Sequence, residues 1–209
     1  MKASILSIAA GNKKTYSKED NTFLSSYKKD EFYNFIDINE LGIIKDTQSD
    51  RIHHGGIDKA IHIGSSLHLK RLKGVDKLAF GYNIFINDYD EDDICIGDIY
   101  SVGDIILEVS QPRQPCWKIA AIFNKEVSRY IAKKYAVGWY VRVLNNGVID
   151  INDDMVLKKR VSSISIKTLS QYLTNPPKDK KIQDEILNIN VLAEAYKNSF
   201  IKACNKIKN

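Results

Sequence analysis

The sequence predicts a mainly β domain, read as a barrel or a sandwich, followed by a small helical appendage. Three observations carry this reading. From Lys2 to about Arg160 the chain is a succession of short β-type runs separated by glycine, asparagine and aspartate, the residues that accept tight turns. Beyond Arg160 the apolar spacing changes to about 3.6 residues, the period of a helix. The 209 residues, 44% of them hydrophobic, are enough to bury one sizeable core. The division falls at residue 160, with a β domain over 1–160 and a helical extension over 161–209.

In chain order the β-type runs are Ser4 to Ala9, Leu41 to Lys45, Lys59 to Ile63, Ile99 to Ser101, Asp104 to Val109, Trp139 to Leu144 and Val156 to Arg160. The stretch from Val141 to Ile149 reads as a hairpin, because Asn145, Asn146 and Gly147 tolerate positive φ between two β-branched runs. Alternation there puts Arg142 opposite Val141 and Val143. Glu126 to Tyr135 has helical spacing, with Val127, Tyr130, Ile131 and Lys134 on one side, and predicts a helix packed on the β domain. After Arg160, Ser165 to Leu173 reads as a short helix stopped by Pro176 and Pro177. Lys180 to Leu187 and Val191 to Ile207 follow; in the latter Leu192, Tyr196, Phe200, Ala203 and Ile207 share a stripe. Helices this short dock on the β domain rather than fold alone.

Charge and composition exclude several classes. A net charge of +5 with scattered lysines does not demand a nucleic-acid partner. No apolar run is long enough for a transmembrane helix, so no membrane association is expected. The short apolar run near the N-terminus is interrupted by Ser4 and Ser7, unlike a secretory leader. The three cysteines, Cys95, Cys116 and Cys204, are far apart, which suggests neither a disulfide framework nor a cysteine-rich zinc site and points to a reducing, cytoplasmic setting.

Chemistry concentrates in two stretches. In Ser110 to Ile119 two prolines fix the approach to Cys116, with Arg113 and Lys118 close by. Such cations favour a thiolate, which is both a nucleophile and a soft metal ligand; the same residues also fit a buried, inert cysteine. In Arg51 to Lys59, His53 and His54 precede Gly55 and Gly56, which let a backbone approach an anion closely. Adjacent histidines in an extended chain face opposite ways and do not form a zinc site. His62 and His68 read as ordinary surface or half-buried residues. Asn87 to Asp93 lacks the calcium-loop pattern and reads as a solvated acidic loop. Cys95 and Cys204 read as core.

Taken in order, five blocks resemble the MOSC family, named for the C-terminal domain of molybdenum cofactor sulfurases. They are His53-His54-Gly55-Gly56-Ile57-Asp58-Lys59-Ala60, Phe80-Gly81-Tyr82-Asn83, Ile96-Gly97-Asp98, Pro112-Arg113-Gln114-Pro115-Cys116-Trp117-Lys118 and Gly138-Trp139-Tyr140-Val141-Arg142-Val143-Leu144. The tail after Arg160 looks like the three-helix extension of the bacterial YiiM-type branch. The resemblance implies a MOSC-type β-barrel with a few flanking helices, binding the molybdenum cofactor (molybdopterin) with Cys116 as metal ligand and catalytic centre. It implies that His54, Gly55, Gly56 and Lys59 line the pocket and meet the anionic cofactor. Arg113, Lys118 and Arg142 are implied phosphate or pterin contacts, and Asn83 and Tyr140 further polar groups.

The activity implied is an oxidoreductase that detoxifies N-hydroxylated small molecules such as hydroxylaminopurines, amidoximes and hydroxylamines, reducing them to amines. No flavin or iron–sulfur signature accompanies it, so an external electron-donor protein is expected. A different class of function is a non-catalytic carrier that passes the cofactor, or a persulfide on Cys116, to a partner enzyme; a barrel that has lost cofactor binding ranks below the reductase. One departure stands out: the family pattern Phe-Gly-Glu-Asn is Phe80-Gly81-Tyr82-Asn83 here, which puts in doubt any proton delivery by that carboxylate. The sequence sets no oligomeric state.

Overall fold

In a computed structural model of the chain, residues 1–19, 21–47, 55–71 and 80–206 are described. The strands are β1 (Lys2–Ala10), β2 (Lys14–Lys18), β3 (Asn21–Ser25), β4 (Glu31–Tyr33), β5 (Phe35–Asn39), β6 (Gly42–Ile43), β7 (Ile61–Ser65), β8 (Ile84–Ile86), β9 (Ile99–Val102), β10 (Ile105–Pro112), β11 (Trp139–Asn145), β12 (Gly147–Asp150) and β13 (Asp154–Lys159). The helices are α1 (Leu67–Arg71), α2 (Lys118–Ile122), α3 (Lys125–Lys134), α4 (Ile166–Thr174), α5 (Lys180–Leu187) and α6 (Glu194–Lys206), with a 3₁₀ turn at Ile57–Lys59.

Seven strands close into a barrel in the order β13-β9-β10-β11-β7-β8-β1, and β1 returns to β13 through Lys2↔Val156, Ala3↔Met155 and Ser4↔Asp154. Only a strand as long as β1 can do this: its start pairs with β13, its middle with β8, and Ile8 to Ala10 with β4. Of the sequence's two architectures, barrel or sandwich, closure selects the barrel. Its interior is filled by one cluster that includes Ile5, Ile61, Ile63, Ile84, Ile86, Leu107, Trp139 and Val141, so the lumen is packed core rather than a ligand cavity. On β11, Trp139, Val141 and Val143 are buried while Tyr140 and Arg142 are half-buried between them, the alternation that sequence predicts.

The predicted hairpin from Val141 to Ile149 does not form. β11 runs to Asn145 along β10, and β12 leaves the barrel to pair with β5, Gly147 opposite Ile38 and Asp150 opposite Phe35. Residues 57–59, predicted in part as strand, form the 3₁₀ turn, and the strand starts at Ile61. α3 matches its prediction within a residue: the Asn124 side chain accepts from the Val127 N–H at 2.8 Å, and Tyr135 ends it at φ 55°. It buries Val127 and Ile131 against Phe80, Tyr82, Phe85 and Ile119 on the outer wall of the barrel. The later helices gather Leu169, Ile186, Leu192, Tyr196 and Phe200 around Ile96. In α6 Cys204, not the predicted Ala203, is buried, and Ile207 lies outside the described residues.

Arg142, expected to contact cofactor, is placed elsewhere. Its Nε donates to Asp58 Oδ1 at 2.7 Å, and its Nη1 donates to Glu108 Oε2 at 2.7 Å and to the Val191 carbonyl at 2.8 Å. It therefore ties β11 and β10 to the 3₁₀ turn and to the segment leading into α6, and it is not among the residues lining the pocket described below. Replacing Arg142 with methionine leaves two carboxylates without their cation. Urea denaturation of Arg142→Met should show a loss of about 1–3 kcal/mol; a variant within about 0.5 kcal/mol of the wild type would remove this strut from the account.

Candidate functional site

The pocket lies on the outer wall of the barrel, where outward side chains of β7 and β11 are covered by the β2–β3 hairpin, the loop after β10 and α2. It spans about 630 Å³ of space, part of it open solvent at its mouth. His62 and Tyr140, register partners across β7 and β11, form its floor; their rings lie 4.9 Å apart. Ser25, Ser26 and Tyr27 rise on one side, and Arg113, Cys116 and Lys118 on the other, with Lys59 delivered by the 3₁₀ turn. Gly56 starts that turn at φ 88°, its carbonyl accepting from the Lys59 N–H at 3.0 Å.

Two polar groups brace the base. Asn83, 5% exposed, accepts from the His62 N–H at 3.1 Å and donates to the Ala9 carbonyl at 3.2 Å and to Asp46 Oδ2 at 3.1 Å. Asp46 also takes both of its oxygens to Lys29 at 2.7 Å and accepts from the Gly11 N–H at 2.7 Å. These groups are saturated by the fold, so they shape the pocket rather than meet a ligand.

The side chains left facing the space are cationic or soft. Arg113 is 6% exposed, and among the described residues no carboxylate pairs with it. Its guanidinium lies 4.9 Å from the centre of the Tyr27 ring, and its backbone N–H donates to the Gly138 carbonyl at 3.2 Å. Burial pushes the Tyr27 phenol up to about 12, against the opposing pull of Arg113; burial likewise raises Tyr140. Cys116 is half-buried at the pocket, whereas Cys95 and Cys204 are buried in the fold, as the sequence predicts for those two.

The structure thus brings together six of the expected site residues: Lys59, Asn83, Arg113, Cys116, Lys118 and Tyr140. Gly55 and Gly56 flank the turn that carries Lys59 without lining the space, and His53 and His54 lie outside the described residues. Sequence reasoning missed Tyr27, Lys29, Asp46, Ser25 and Ser26, which sit in polar segments with no motif.

His62 and His68 need correction: neither is a surface residue. His62 is 5% exposed because its ring nitrogens lie 3.0 Å from the carbonyls of Gly81 and Val137. His68 is 2% exposed and its Nε2 pairs with Glu91 Oε2 at 2.7 Å. Glu91 belongs to the segment read as a solvated loop, yet it is buried, its other oxygen accepting from the Gly138 N–H at 2.6 Å. Tyr82, at the departure from the family pattern, points into the apolar cluster beneath α3. Its ring crosses that of His62 at 4.8 Å and lies so close to Gly64 that a Cβ there would come within 2.1 Å.

Comparison with known proteins places this geometry. The family model of the MOSC domain matches residues 50–156. The protein YflK of Bacillus subtilis (strain 168) is 30% identical over 164 residues, 75% of this chain and 74% of that protein. A protein of Gibberella moniliformis (strain M3125 / FGSC 7600) named Reductase is 35% identical over 118 residues, 51% of this chain and 21% of that protein. The crystal structure of YiiM from Geobacillus stearothermophilus superposes with a TM-score of 0.77 at 28% identity, covering 97% of this chain and 99% of that chain.

Burial first, then the Arg113 charge, lowers His62 to about 3 despite the two carbonyls. In the unfolded chain the ring titrates near 6.5, so below that pH the unfolded state binds a proton that the folded state refuses. Stability contributed by the neutral ring is complete above about pH 6.5 and is lost as pH falls towards about 3. Between pH 7 and pH 5 this amounts to about 2 kcal/mol. Urea denaturation at the two pH values should show that loss in the wild type and a shallower one in His62→Gln; equal slopes would contradict the neutral assignment.

Proposed function

This chain belongs to the MOSC domain family, and on that premise we propose that it binds the molybdenum cofactor in the pocket on its outer wall and reduces N-hydroxylated compounds there. The observation that carries the reading is the presence in one pocket of the Cys116 thiol and a buried guanidinium that has no carboxylate partner among the described residues.

The donor set fits the group. Among the described residues that line the pocket, Lys29, Lys59, Arg113 and Lys118 stand with one carboxylate, Asp46, and Lys29 already answers it. Arg113 and Lys118 suit the phosphate of an anionic cofactor, Arg113 through its planar fork and Lys118 as a point charge. Cys116 supplies a soft sulfur of the kind that binds molybdenum. Among the described residues no cluster of three or more histidine, cysteine or acidic side chains could hold a metal, so a metal at Cys116 would arrive with its other ligands attached. The bound cofactor would supply a two-electron store.

The balanced change is R–NHOH + 2e⁻ + 2H⁺ → R–NH₂ + H₂O. The electrons come from an external donor protein. The His62 ring is buried with its nitrogens against two carbonyls, one of which its single N–H can serve when neutral, so the phenols of Tyr27 and Tyr140 and the lysine ammoniums are the better placed proton donors at the pocket. The 35% identical protein named Reductase supports the reaction class, and a cytoplasmic setting suits a working free thiol.

Wild type and Cys116→Ser, made in a host that synthesises the cofactor, should differ in molybdenum and pterin per chain: near-stoichiometric for the wild type, at least tenfold lower for the variant, with turnover of N-hydroxylated compounds by the wild type given a chemical or flavoprotein donor. Cofactor carried without turnover would favour a carrier that hands it to a partner enzyme. A wild type holding neither metal nor pterin would overturn the proposal.

A further inference from the structure

Beside the mouth of the pocket stands a patch of aromatic rings that the barrel does not use. Trp117 follows Cys116 directly and is 59% exposed. Its ring meets Phe23 of β3 edge to face, with centroids 4.7 Å apart, and Phe23 stacks on Tyr16 of β2 at 5.9 Å. None of the three belongs to the buried apolar clusters that hold the fold together. Single exposed apolar residues are ordinary on a protein surface, but a run of three rings in mutual contact beside a binding pocket is a built surface.

Two contacts tie these rings to the pocket. Lys118 lines the pocket, donates from Nζ to the Leu24 carbonyl at 3.2 Å, and lies 5.8 Å from the centre of the Phe23 ring. β3 then runs on into Ser25 and Ser26, which line the same space. Cys116, Trp117 and Lys118 on one side and Phe23 to Ser26 on the other therefore form one frame, in which Cys116, Lys118, Ser25 and Ser26 line the pocket and the indole, next to Cys116 in the chain, is exposed outside that lining.

We propose that Trp117 is a specificity-determining residue of this pocket, offering its free face to the flat conjugated ring of a substrate whose N-hydroxyl group reaches in towards Cys116. Phe23 and Tyr16 hold the plane of the indole; Lys118 holds Phe23. Stacking of a flat ring on an aromatic side chain needs no hydrogen bond and tolerates different ring systems, and it is worth a factor on the order of 10 to 100 in affinity. Hydroxylamine itself has no surface to offer the indole, so the wall separates ring-bearing from small N-hydroxylated compounds. This inference rests on the reductase reading for its substrate and on the ring contacts for its geometry.

Two arms test it on the full chain as purified. In the first, kcat/KM is measured for an N-hydroxylated aryl compound and for hydroxylamine. The ratio of the two should fall about tenfold or more in Trp117→Ala, mainly through KM of the aryl compound, and should recover in Trp117→Tyr, with molybdenum content equal in all three proteins. In the second, ligand-observed NMR with aniline and adenine, two flat neutral amines, should show ring-proton broadening with wild type and Trp117→Tyr that disappears with Trp117→Ala. An unchanged ratio, or broadening that survives the alanine substitution, overturns the proposal. If the wild type carries no cofactor and turns nothing over, the reductase reading fails while the NMR arm still decides whether Trp117 holds flat rings.

Discussion

Taking the Arg113 guanidinium out of solvent costs several kcal/mol unless the fold answers its charge. Here the answer is the face of the Tyr27 ring, with the Tyr27 and Tyr140 phenols alongside, and no carboxylate among the described residues. Among the described residues the charge is therefore stabilised without being neutralised. Everything else in the site depends on this. A carboxylate at the same place would make the pocket electrically satisfied and indifferent to anions; phenols leave a cation in a low-dielectric cleft where an anionic ligand is bound more strongly than at the surface. His62 shares the cost, because the same charge helps to keep its ring neutral.

The position of Arg113 is in turn fixed by a short backbone segment. Gly138 accepts from the Arg113 N–H, while its own N–H is held by the buried Glu91, which pairs with His68; the neighbouring Val137 carbonyl meets His62. A buried carboxylate is costly unless hydrogen bonds answer it, and here both of its oxygens are held. Placed here, Glu91 pins the start of β11 against the loop that carries Arg113 and Cys116. A group embedded in the interior thus supports the part of the site that meets solvent.

The fold was legible where one strand face is buried and one is not. On β11 the alternation of Val141, Arg142 and Val143 named both faces correctly. It failed where pairing is decided far along the chain: Asn145 to Gly147 carry a local turn signal, yet β12 pairs with β5, a strand much earlier in the sequence. β2 is polar and exposed, and β8 is buried on both faces, so neither shows a period of two. In the site, the Cys116 loop was legible as a motif. Arg113 and Arg142 were indistinguishable as arginines; what separates them is that Asp58 and Glu108, distant in sequence, meet Arg142 alone. His62 and Glu91 carry no signal of burial, since only tertiary packing covers them.

The central claim is that a cofactor occupies this pocket against the sulfur of Cys116. Alkylation by iodoacetamide, followed residue by residue by mass spectrometry on cofactor-loaded and cofactor-free protein, tests it most directly. Half-buried Cys116 should label readily in the cofactor-free protein and be at least tenfold slower in the loaded one, with the buried Cys95 and Cys204 slow in both. Equal labelling of Cys116 in the two forms would place the cofactor away from this sulfur and contradict the account.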